Sequence, residues 1–474
     1  MKFLFYSKTI ILALLGIILG AKVVIAADFY VDPVHGSMSN DGSQAHPWST
    51  MQDVWDGCKI QTQAYVPPYN AVSPTTTSKC PNGPVHAGDT IYLLSGYHGE
   101  LSIIDAVNTD WITVKAALGA TPKFRGISLR SASKWIFDGL SISTSHYDPF
   151  SKRTTALFNV ENHSWTGPSS FITIKNSSIF SVVSIEGWRD QDWLDKASTG
   201  ISSGGIHTTI EGNNIKNVAG GISIGLAHNS SIKNNIIENS CLDGVRLVGS
   251  DHVTFEYNTV KNIYVVLPYE QYHYDIIQAW TLDGDMEGLL VRGNVLIACE
   301  TLGTPYCGGC QGIGFFDGWF NNFIIENNMV VIDSTHGISV WGANNSRIVN
   351  NSVVSNSGGG GAPILLVPHK NHEPGTGNTV RNNFALGVST SSSGYTSGTT
   401  VDHNIAGFVY SEHFNNPANL DFSLKSTSNA INAGESALSP ILDLTKASRV
   451  DRPDIGAYEH KVAIPSPANF IRQP

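Results

Sequence analysis

The chain has 474 residues, of which 41% are hydrophobic and 14% are charged, and its formal net charge is −10 at pH 7. A nucleic-acid-binding surface needs a basic field, so this charge argues against nucleic acid as a partner. It does not exclude an acidic polysaccharide, because a local basic groove or a bound cation can reverse the sign of the field.

Residues 1–26 have the pattern of a secretory signal peptide. Lys2 and Lys8 precede an apolar run over residues 9–20, and the small residues Ala26 and Ala27 offer a cleavage site. The alternative, an anchoring helix that is retained, is disfavoured because the run is short for a membrane span. No later stretch is long and apolar enough to cross a bilayer. We therefore expect a secreted or periplasmic protein that has no membrane contact after cleavage.

Residues 27–100 are predicted to form an N-terminal cap and the first coils of a repeat array, since an open end would expose apolar core. A short helix is expected over residues 50–57. Weak strand patterns at 111–114 and 134–137 indicate further early coils.

A short sequence motif is repeated eight times between residues 171 and 385. It consists of an apolar residue, two variable residues, Asn (Ser in the first copy), one variable residue and a second apolar residue. The shortest spacing is about 22 residues and insertions lengthen the others, which is typical of a solenoid. Period-2 alternation with Gly and Asn between the strands favours short strands over paired helices. The copies begin at Ile174, Ile210, Ile232, Phe255, Val291, Ile325, Ile348 and Val380.

The recurring Asn has a physical reason. It tolerates a left-handed bend at a corner, and its amide can bond to the Asn of the next coil. The expected fold is all-β: a parallel β-helix over residues 101–400, followed by a last coil and an irregular tail at 401–474.

A second strand follows each repeat, and alternation points its middle residue outward. Residues 264–274 and 299–310 enter before this strand, whereas 189–204 and 368–377 leave after it, so long loops should flank one strand column. A groove walled in this way is the default place for a chain-like ligand. These strands are predicted at 183–185, 222–224, 245–247, 277–279, 313–315, 338–340 and 364–366.

Two outward columns follow from this alignment. Trp280, Phe316 and Trp341 would lie on successive coils and could stack on sugar rings; alternatively, the loops cover them as a satellite core. The first column is Ser184, Ser223, Arg246, Gln278, Gly314, Ser339 and Leu365, and the second is Glu186, Gly225, Val248, Trp280, Phe316, Trp341 and Val367.

Another column, two residues before these strands, contains Gly220, Asp243, Asp275, Gln311 and His336. The carboxyl groups of Asp243 and Asp275 could approach within about 5 Å. Such a pair either shares a proton, which raises one pKa, or holds a cation such as Ca²⁺, which is the expected cofactor. The alternative is that each Asp caps its own corner by accepting backbone hydrogen bonds.

Residues 272–280 concentrate functional groups at the end of an insertion. Arg246, one coil earlier, and Gln278 could bind a uronate carboxylate, while His273 or Tyr274 removes the proton on the adjacent carbon. A lone His in a loop is usually solvated, which is the alternative for His273. Within this segment lie His273, Tyr274, Asp275, Gln278 and Trp280.

Three stretches resemble the right-handed parallel β-helix proteins of the pectate lyase-like superfamily. They are Tyr-Val-Asp at 30–32 with Asn-Asp-Gly-Ser at 40–43 and Pro-Trp at 47–48, Gly-Asp-Thr-Ile at 88–91 with Gly-Tyr at 96–97, and Ala-Ile-Asn-Ala-Gly at 430–434 with Arg-Pro-Asp-Ile-Gly-Ala-Tyr-Glu at 452–459. The resemblance implies a right-handed β-helix and a secreted polysaccharide-active protein. It does not choose among lyases, hydrolases, epimerases and phage-type adhesins.

His336, in Thr-His-Gly-Ile-Ser at 335–339, is similar in sequence to the Gly-His-Gly region of β-helical polygalacturonases. The aspartate set and the Arg-Ile-Lys triplet of that family are missing, which argues against its activity.

Six cysteines, an even number in an exported chain, favour disulfides over metal ligands. Cys58 and Cys80 flank a Pro/Thr-rich insertion and could form a disulfide that closes it. Cys299, Cys307 and Cys310 share one insertion and Cys241 lies earlier, so their pairing stays open. Zinc at 307–310 is disfavoured because there is no second metal-spaced pair.

The resulting hypothesis is a secreted, monomeric enzyme that cleaves a uronate-containing polysaccharide by β-elimination. The alternatives are a hydrolase with paired aspartates drawn from residues 243, 275, 283, 285 and 317, an epimerase, and a glycan binder that keeps the aromatics without needing the catalytic groups. The expected catalytic residues are His273, Asp275, Arg246 and Tyr274; the expected substrate-binding residues are Gln278, Trp280, Phe316, Trp341, His336 and Asp317; the expected Ca²⁺ ligands are Asp243 and Asp275.

Overall fold

The computed structural model describes residues 26–266, 273–355, 357, 361–390, 398–450 and 452–460. The predicted signal peptide lies outside the described residues, apart from its last position. In the described part, no helix reaches the length and apolar character that a bilayer span requires.

Short parallel strands stack coil upon coil along three walls, which the chain visits in the order wall one, wall two, wall three. Two long strands, Glu100–Ala116 and Gly126–Asp138, run through walls one and two of the early coils. The predicted parallel β-helix is confirmed, and early strands lie where 111–114 and 134–137 indicated them.

Wall one continues with Phe158–Glu161, Ile201–Ser203, Ile222–Gly225, Val245–Val248, Asp275–Trp280, Gln311–Asp317, Ile338–Trp341, Pro363–Val367 and Gly387–Ser389. Wall two contains Asp28–Val31, Thr90–Leu93, Ser170–Lys175, Thr209–Glu211, Ser231–Lys233, Thr254–Glu256, Leu290–Arg292, Ile324–Glu326, Arg347–Val349, Thr379–Arg381 and Thr400–Asp402. Wall three contains Gly96–Tyr97, Pro122–Phe124, Ser141–Ile142, Ser178–Phe180, Asn214–Val218, Ile236–Ser240, Thr259–Ile263, Val295–Ile297, Met329–Val331, Ser352–Val354, Phe384–Ala385 and Ile405–Ala406.

Smaller elements decorate these walls. Met286–Glu287, Phe320–Asn321 and Ala343–Asn344 form a short parallel sheet, and two antiparallel hairpins pair Thr62–Tyr65 with Thr76–Lys79 and Phe414–Asn416 with Asp421–Leu424. The helices are Met51–Asp56, Asp190–Lys196 and Tyr410–His413, with 3₁₀ turns at Thr144–His146 and Pro417–Asn419.

The helix predicted over 50–57 is confirmed as Met51–Asp56. The Thr50 side chain accepts a hydrogen bond from the Asp53 amide, and the Asp53 side chain accepts one from the Thr50 amide, which is a capping box. Met51 and Val54 are buried against the core of the first coils. The helix therefore contributes to the expected N-terminal cap.

Inward side chains form columns of Ile, Val and Leu. On wall one, Ile222, Val245, Ile277 and Ile313 are at most 1% exposed. Parallel pairing keeps each of them in register with its neighbour on the next coil. Strands buried on one face and solvated on the other produce the alternation that was read from the sequence.

The Asn ladder is also confirmed. From Asn213 to Asn404, each Asn Nδ2 donates to the Oδ1 of the next Asn at 2.9–3.2 Å. The prediction that these Asn residues take the left-handed bend is wrong. The residue before each one takes it, with φ of 50 to 66° (for example Tyr257, before Asn258). The ladder Asn side chains from Asn213 to Asn383 instead turn inward, where they are buried.

The prediction of a strand at 183–185 is wrong, because no strand forms there. The wall-one strand of that coil is Ile201–Ser203, which pairs with Ile222–Ile224, and Val183 is 71% exposed. Ser202 therefore replaces Ser184 in the outward column, and Glu186 is not part of it. The error arose because Val-Ser-Ile inside an insertion has the same alternation as the true strand.

The insertion that was predicted to leave after the wall-one strand therefore enters before it, on the other side of the groove. Residues 181–200 enter before wall one, as do the described residues 264–266 and 273–274 and residues 298–310, whereas 368–377 leave after it. The entering loops share a small apolar cluster that includes Trp193, Cys241 and Tyr264.

The cysteines form two disulfides among the described residues. Cys58 pairs with Cys80 as expected, and Cys299 pairs with Cys307. Cys241 and Cys310 are buried thiols. A zinc site at residues 307 and 310 does not fit this pairing.

Candidate functional site

Wall one presents the predicted outward column in register. Ser223 pairs with Arg246, Arg246 with Gln278, Gln278 with Gly314, and Gly314 with Ser339. Since pairing is parallel and unbroken at these positions, their side chains leave the same face on successive coils. The structure thus brings Arg246 and Gln278 together, as the repeat alignment predicted.

The aromatic column is interrupted by a bulge. Trp280 pairs with Asp317, so Phe316 is an extra residue in its strand. The Phe316 ring lies edge-on to His336 at 5.4 Å and to Trp341 at 6.3 Å between ring centroids. All three rings are half-buried. This geometry agrees in part with both interpretations of the aromatic column, stacking on sugars and a covered satellite core. The rings pack on one another and still expose part of their surface.

Two buried carboxyl groups lie beside Arg246. Asp243 and Asp275 are 1% and 0% exposed. Arg246 donates from Nε to Asp243 Oδ2, and the Asp275 amide donates to Asp243 Oδ1 at 2.9 Å. Neither carboxyl oxygen of Asp275 has a hydrogen-bond partner among the described residues. Asp243 therefore caps the next coil and also positions Arg246, whereas the alternative had each Asp capping its own corner.

Burial controls the protonation of this pair. It raises the pKa of Asp275 well above the usual value, and the neighbouring Asp243 charge adds to that rise. Burial also raises the pKa of Asp243, although Arg246 opposes the shift. Both shifts favour the neutral acid, more strongly at Asp275, whereas the bonded Arg246 favours the charged form of Asp243.

The histidines differ in environment. His273 is exposed and is electrostatically coupled to Asp243 and to His336. Burial, followed by the proximity of His273, lowers the pKa of His336, whose Nδ1 lies 3.1 Å from the Ser339 hydroxyl. Both imidazoles therefore belong to the same groove.

Tyr274 does not face the groove. Its side chain is fully buried within the apolar core, so the expectation that its phenol serves as a base on the outer wall is wrong in this geometry. Tyr272, at the other side of His273, lies outside the described residues.

The far edge of the groove is formed by the loop that leaves wall one. Lys370 from this loop forms an ion pair with Asp317, and His369 stacks on Trp319 at 5.1 Å and 12°. Asp317, a predicted binding residue, is therefore paired with a cation at the rim, where both side chains are at least half exposed.

A cleft of about 290 Å³ extends from Arg246 toward the N-terminal coils. This end of the groove was not predicted from the sequence, because the repeat motif is absent before residue 174. Its walls come from the outward faces of four successive wall-one strands and the segment that precedes the first of them. The lining includes Thr155, Asn159, Glu161, Ser202, Ser223, Asp243 and Arg246.

Wall two also carries outward charges that are paired with one another. Lys175 lies 3.5 Å from Asp138, and Glu326 contacts both Arg292 at 2.6 Å and Arg347 at 3.2 Å.

The acidic pair does not fit a calcium site. Calcium takes six to eight oxygen ligands, whereas Arg246 and the Asp275 amide already bond to the carboxyl oxygens of Asp243. The described residues contain no group of three or more His, Cys, Asp or Glu arranged to hold a metal ion.

Comparisons with known proteins address the fold. The family model for the right-handed β-helix region matches residues 125–274. A search of the curated proteins finds no match. Among solved structures, the complex of XylC with xylose is similar at a TM-score of 0.54 and 10% identity, over 91% of this chain and 98% of that chain.

Two further structures are similar at lower scores. Pectate lyase Pel9A has a TM-score of 0.42 and 14% identity over 93% of this chain and 98% of that chain. An alginate lyase from Paenibacillus sp. str. FPU-7 has a TM-score of 0.39 and 12% identity over 68% of this chain and 94% of that chain. Identities this low bear on the fold alone. With its three parallel walls, the chain is a right-handed parallel β-helix protein.

Proposed function

We propose that the protein is an exported enzyme that cleaves a uronate-containing polysaccharide by β-elimination in the groove on wall one. The observation that carries this proposal is Arg246, whose side chain is 36% exposed at the end of the cleft while Asp243 holds its Nε. A guanidinium fixed at one nitrogen keeps its two terminal nitrogens free to pair with a carboxylate.

The residues around Arg246 suit elimination next to a carboxylate. Arg246 and Gln278 bind the uronate carboxylate and increase the acidity of the hydrogen on the adjacent carbon. His273 removes that proton, the electron pair forms a carbon–carbon double bond, and the glycosidic oxygen leaves from the next carbon. Trp280 and Trp341 offer stacking surfaces to neighbouring rings. A sugar ligand is compatible with the fold, since XylC was solved with xylose.

The experiment is the ultraviolet absorbance of the unsaturated uronate, followed on pectate, alginate and glycosaminoglycans with and without chelator. We expect His273→Ala to lower kcat/KM by roughly 10²- to 10⁴-fold, the usual contribution of a general base. Its thermal transition should match the wild type because the side chain is exposed. His46→Ala, which changes another exposed histidine, is the control and should retain full activity.

Arg246 is best tested with Lys. Arg246→Ala would leave the Asp243 carboxylate buried without its cation and would destabilise the protein. Arg246→Lys keeps the charge but loses the planar fork, so KM should rise and kcat/KM should fall. Arg347→Lys on wall two, where the side chain is 31% exposed and also ion-paired, is the matched control. Full activity in Arg246→Lys or His273→Ala would remove that residue from the mechanism.

One observation favours a hydrolase as the second candidate. The pKa of Asp275 is raised further than that of Asp243, and two carboxyl groups whose pKa values are pushed apart by their environments can serve as acid and base. New reducing ends without ultraviolet absorbance would support hydrolysis, and retention on polysaccharide without any product would support a glycan binder.

A further inference from the structure

The disulfide between Cys299 and Cys307 lies in one of the insertions that enter before wall one. The fold holds its two ends differently. Cys299 comes directly after wall three, and the next residue, Glu300, is bonded to the neighbouring coil. The Glu300 carboxylate lies 2.9 Å from Lys261 Nζ, and its amide donates to Asn262 Oδ1 at 3.0 Å. The Cys299 end is therefore fixed to the body of the β-helix.

The Cys307 end contacts both of the other entering insertions. The backbone oxygen of Tyr306 accepts a hydrogen bond from the Val265 amide at 2.9 Å, and Cys307 forms an antiparallel bridge with Tyr264. The Tyr306 hydroxyl donates to Asp190 of the first insertion, and this bond raises the pKa of the phenol. Tyr306 and Cys307 also pack against the apolar cluster that the entering loops share. The Cys307 end thus joins the three insertions into one wall of the groove.

The segment around Cys307 is rich in glycine. Gly303, Gly308 and Gly309 have φ of 82°, 123° and 75°. A Cβ at Gly303 or Gly308 would meet nothing within 4 Å, so the packing of neighbouring atoms does not fix the backbone there. Glycine has more conformations available to it than any other residue, and a cross-link reduces the number that such a segment can take. The disulfide is therefore a covalent restraint that keeps Tyr306 and Cys307 against the neighbouring insertion.

That neighbouring insertion carries His273. Its described residues are 264–266 and 273–274. At the second of these parts, the Tyr274 oxygen accepts a hydrogen bond from the Gln311 amide at 2.7 Å, and the Tyr274 side chain is buried in the core. Tyr274 therefore fixes His273 from one side. The first part of the insertion is bonded to the segment that the disulfide closes.

We propose that the Cys299–Cys307 disulfide positions His273, because it holds the insertion that brings this histidine to the groove. The proposal rests on the proposed function, in which His273 is the base. A misplacement of about 1 Å in a reacting group can lower a rate by about 10²-fold. Arg246 and Gln278, in contrast, lie within wall-one strands whose register is set by parallel pairing. Loss of the disulfide should therefore impair proton removal more than substrate binding.

The first experiment removes each disulfide in turn. Cys299→Ser combined with Cys307→Ser should lower kcat on a uronate polymer by roughly 10- to 10²-fold with little change in KM. Cys58→Ser combined with Cys80→Ser is the matched control. It removes the other disulfide, whose sequence separation is 22 instead of 8, and the longer closed loop makes its loss of stability at least as large. The control should retain the wild-type kcat.

A second measurement reports on the position of His273 without any turnover. Burial, followed by the proximity of His273, lowers the pKa of His336. Removing the Cys299–Cys307 disulfide should raise the pKa of His336 toward its value in His273→Ala, as measured by NMR titration of the ring protons, with His336→Gln to identify the signal. Removing the Cys58–Cys80 disulfide should leave that pKa at the wild-type value.

If the variant without Cys299 and Cys307 does not fold, reduction replaces it. In folded protein that lacks Cys58 and Cys80, the Cys299–Cys307 bond is the remaining disulfide among the described residues. Dithiothreitol should then lower kcat, and reoxidation should restore it.

A kcat that the two disulfide variants change alike, or a pKa of His336 that stays at the wild-type value without the Cys299–Cys307 disulfide, would overturn the proposal. Absence of elimination by the wild type on every polymer would instead defeat the proposed function. The titration of His336 would still decide whether the disulfide positions His273.

Discussion

At the scale of single residues, Asp275 is a carboxyl group whose pKa differs between the folded and the unfolded chain. Its carboxyl oxygens are buried without a hydrogen-bond partner among the described residues, and its pKa is raised well above the ordinary value by burial and by Asp243. The folded protein therefore holds this proton to a higher pH than the unfolded chain does. This preference makes stability depend on pH.

Asp275→Asn should remove that dependence. The wild-type residue binds more protons when folded, so its favourable contribution is complete below the ordinary Asp pKa and is lost as pH rises toward the raised pKa. Each unit of pKa difference corresponds to about 1.4 kcal/mol. The variant should match the wild type near pH 4 and exceed it in free energy of unfolding near pH 8, measured by urea denaturation. Asp283→Asn, in an exposed loop, should follow the wild type at both pH values. A wild-type advantage at pH 8 would show that Asp275 is ionised.

At the scale of the strand and its corner, the Asn ladder carries a large share of the buried polar bonding. Asn258 is 1% exposed. Its Oδ1 accepts from the amide and the side chain of Asn235 at 2.9 and 3.0 Å, and its Nδ2 donates to Ile232 O at 3.0 Å. Removing this side chain leaves several buried groups of the neighbouring coils without partners.

Asn258→Ala should therefore lower the free energy of unfolding by about 2–4 kcal/mol, since each orphaned buried group costs about 1–3 kcal/mol. Asn258→Ser should cost less. In the first coil Ser177 takes the ladder position, and its hydroxyl accepts from the Leu140 amide at 3.1 Å. Asn214→Ala, in a strand that faces solvent, is the control. Equal stability of Asn258→Ala and Asn214→Ala in thermal denaturation would contradict a structural role for the ladder.

The sequence predicted these elements well where one pattern governs them. The repeat motif around Asn258 predicted the wall, the strand register and the Asn ladder together. A shift of one residue in that register would expose every inward side chain. Prediction failed inside insertions, where no register applies. Residues 183–185 copy a strand pattern, and Tyr274 was placed outside although it is buried in the core.

The candidate site was predicted only in part for the same reason. Arg246 and Gln278 follow from the repeat alignment, whereas Glu161 precedes the first copy of the motif and has no register in the sequence. The bulge at Phe316 and the ion pair at Lys370 depend on the detailed conformation of the strand and the loop. Neither the hydrophobic periodicity nor the composition of the sequence determines that conformation.

At the scale of the whole molecule, the C-terminal tail closes a second apolar core on the outside of wall three. Met329, Val354 and Phe384 point outward there and pack against Phe414, Leu444, Ile455 and Ala457 of the tail. A solenoid wall with outward apolar residues would aggregate if it were left open, so the tail is part of the folded unit.

An ion pair buried within this tail holds it on the wall. The Arg449 and Glu459 side chains are 4% and 5% exposed and lie 2.9 Å apart. Arg449 Nη2 also donates to Asn327 Oδ1 at 2.8 Å, which links the tail to the corner beside the ladder. Since both charges are desolvated, losing one partner leaves the other without compensation.

Arg449→Met should therefore destabilise the protein by about 3–5 kcal/mol, the usual cost of breaking a buried pair from one side. Combining it with Glu459→Gln should recover part of that loss, because the second substitution removes the uncompensated carboxylate. Limited proteolysis should cut the single variant in the tail before the coils unfold, as the tail is held by fewer strand hydrogen bonds than the walls. Thermal denaturation and the order of cleavage measure both effects. A double variant that is less stable than Arg449→Met would show that Glu459 stabilises the tail through its bonds to the Val450 and Asp454 amides and not through the pair.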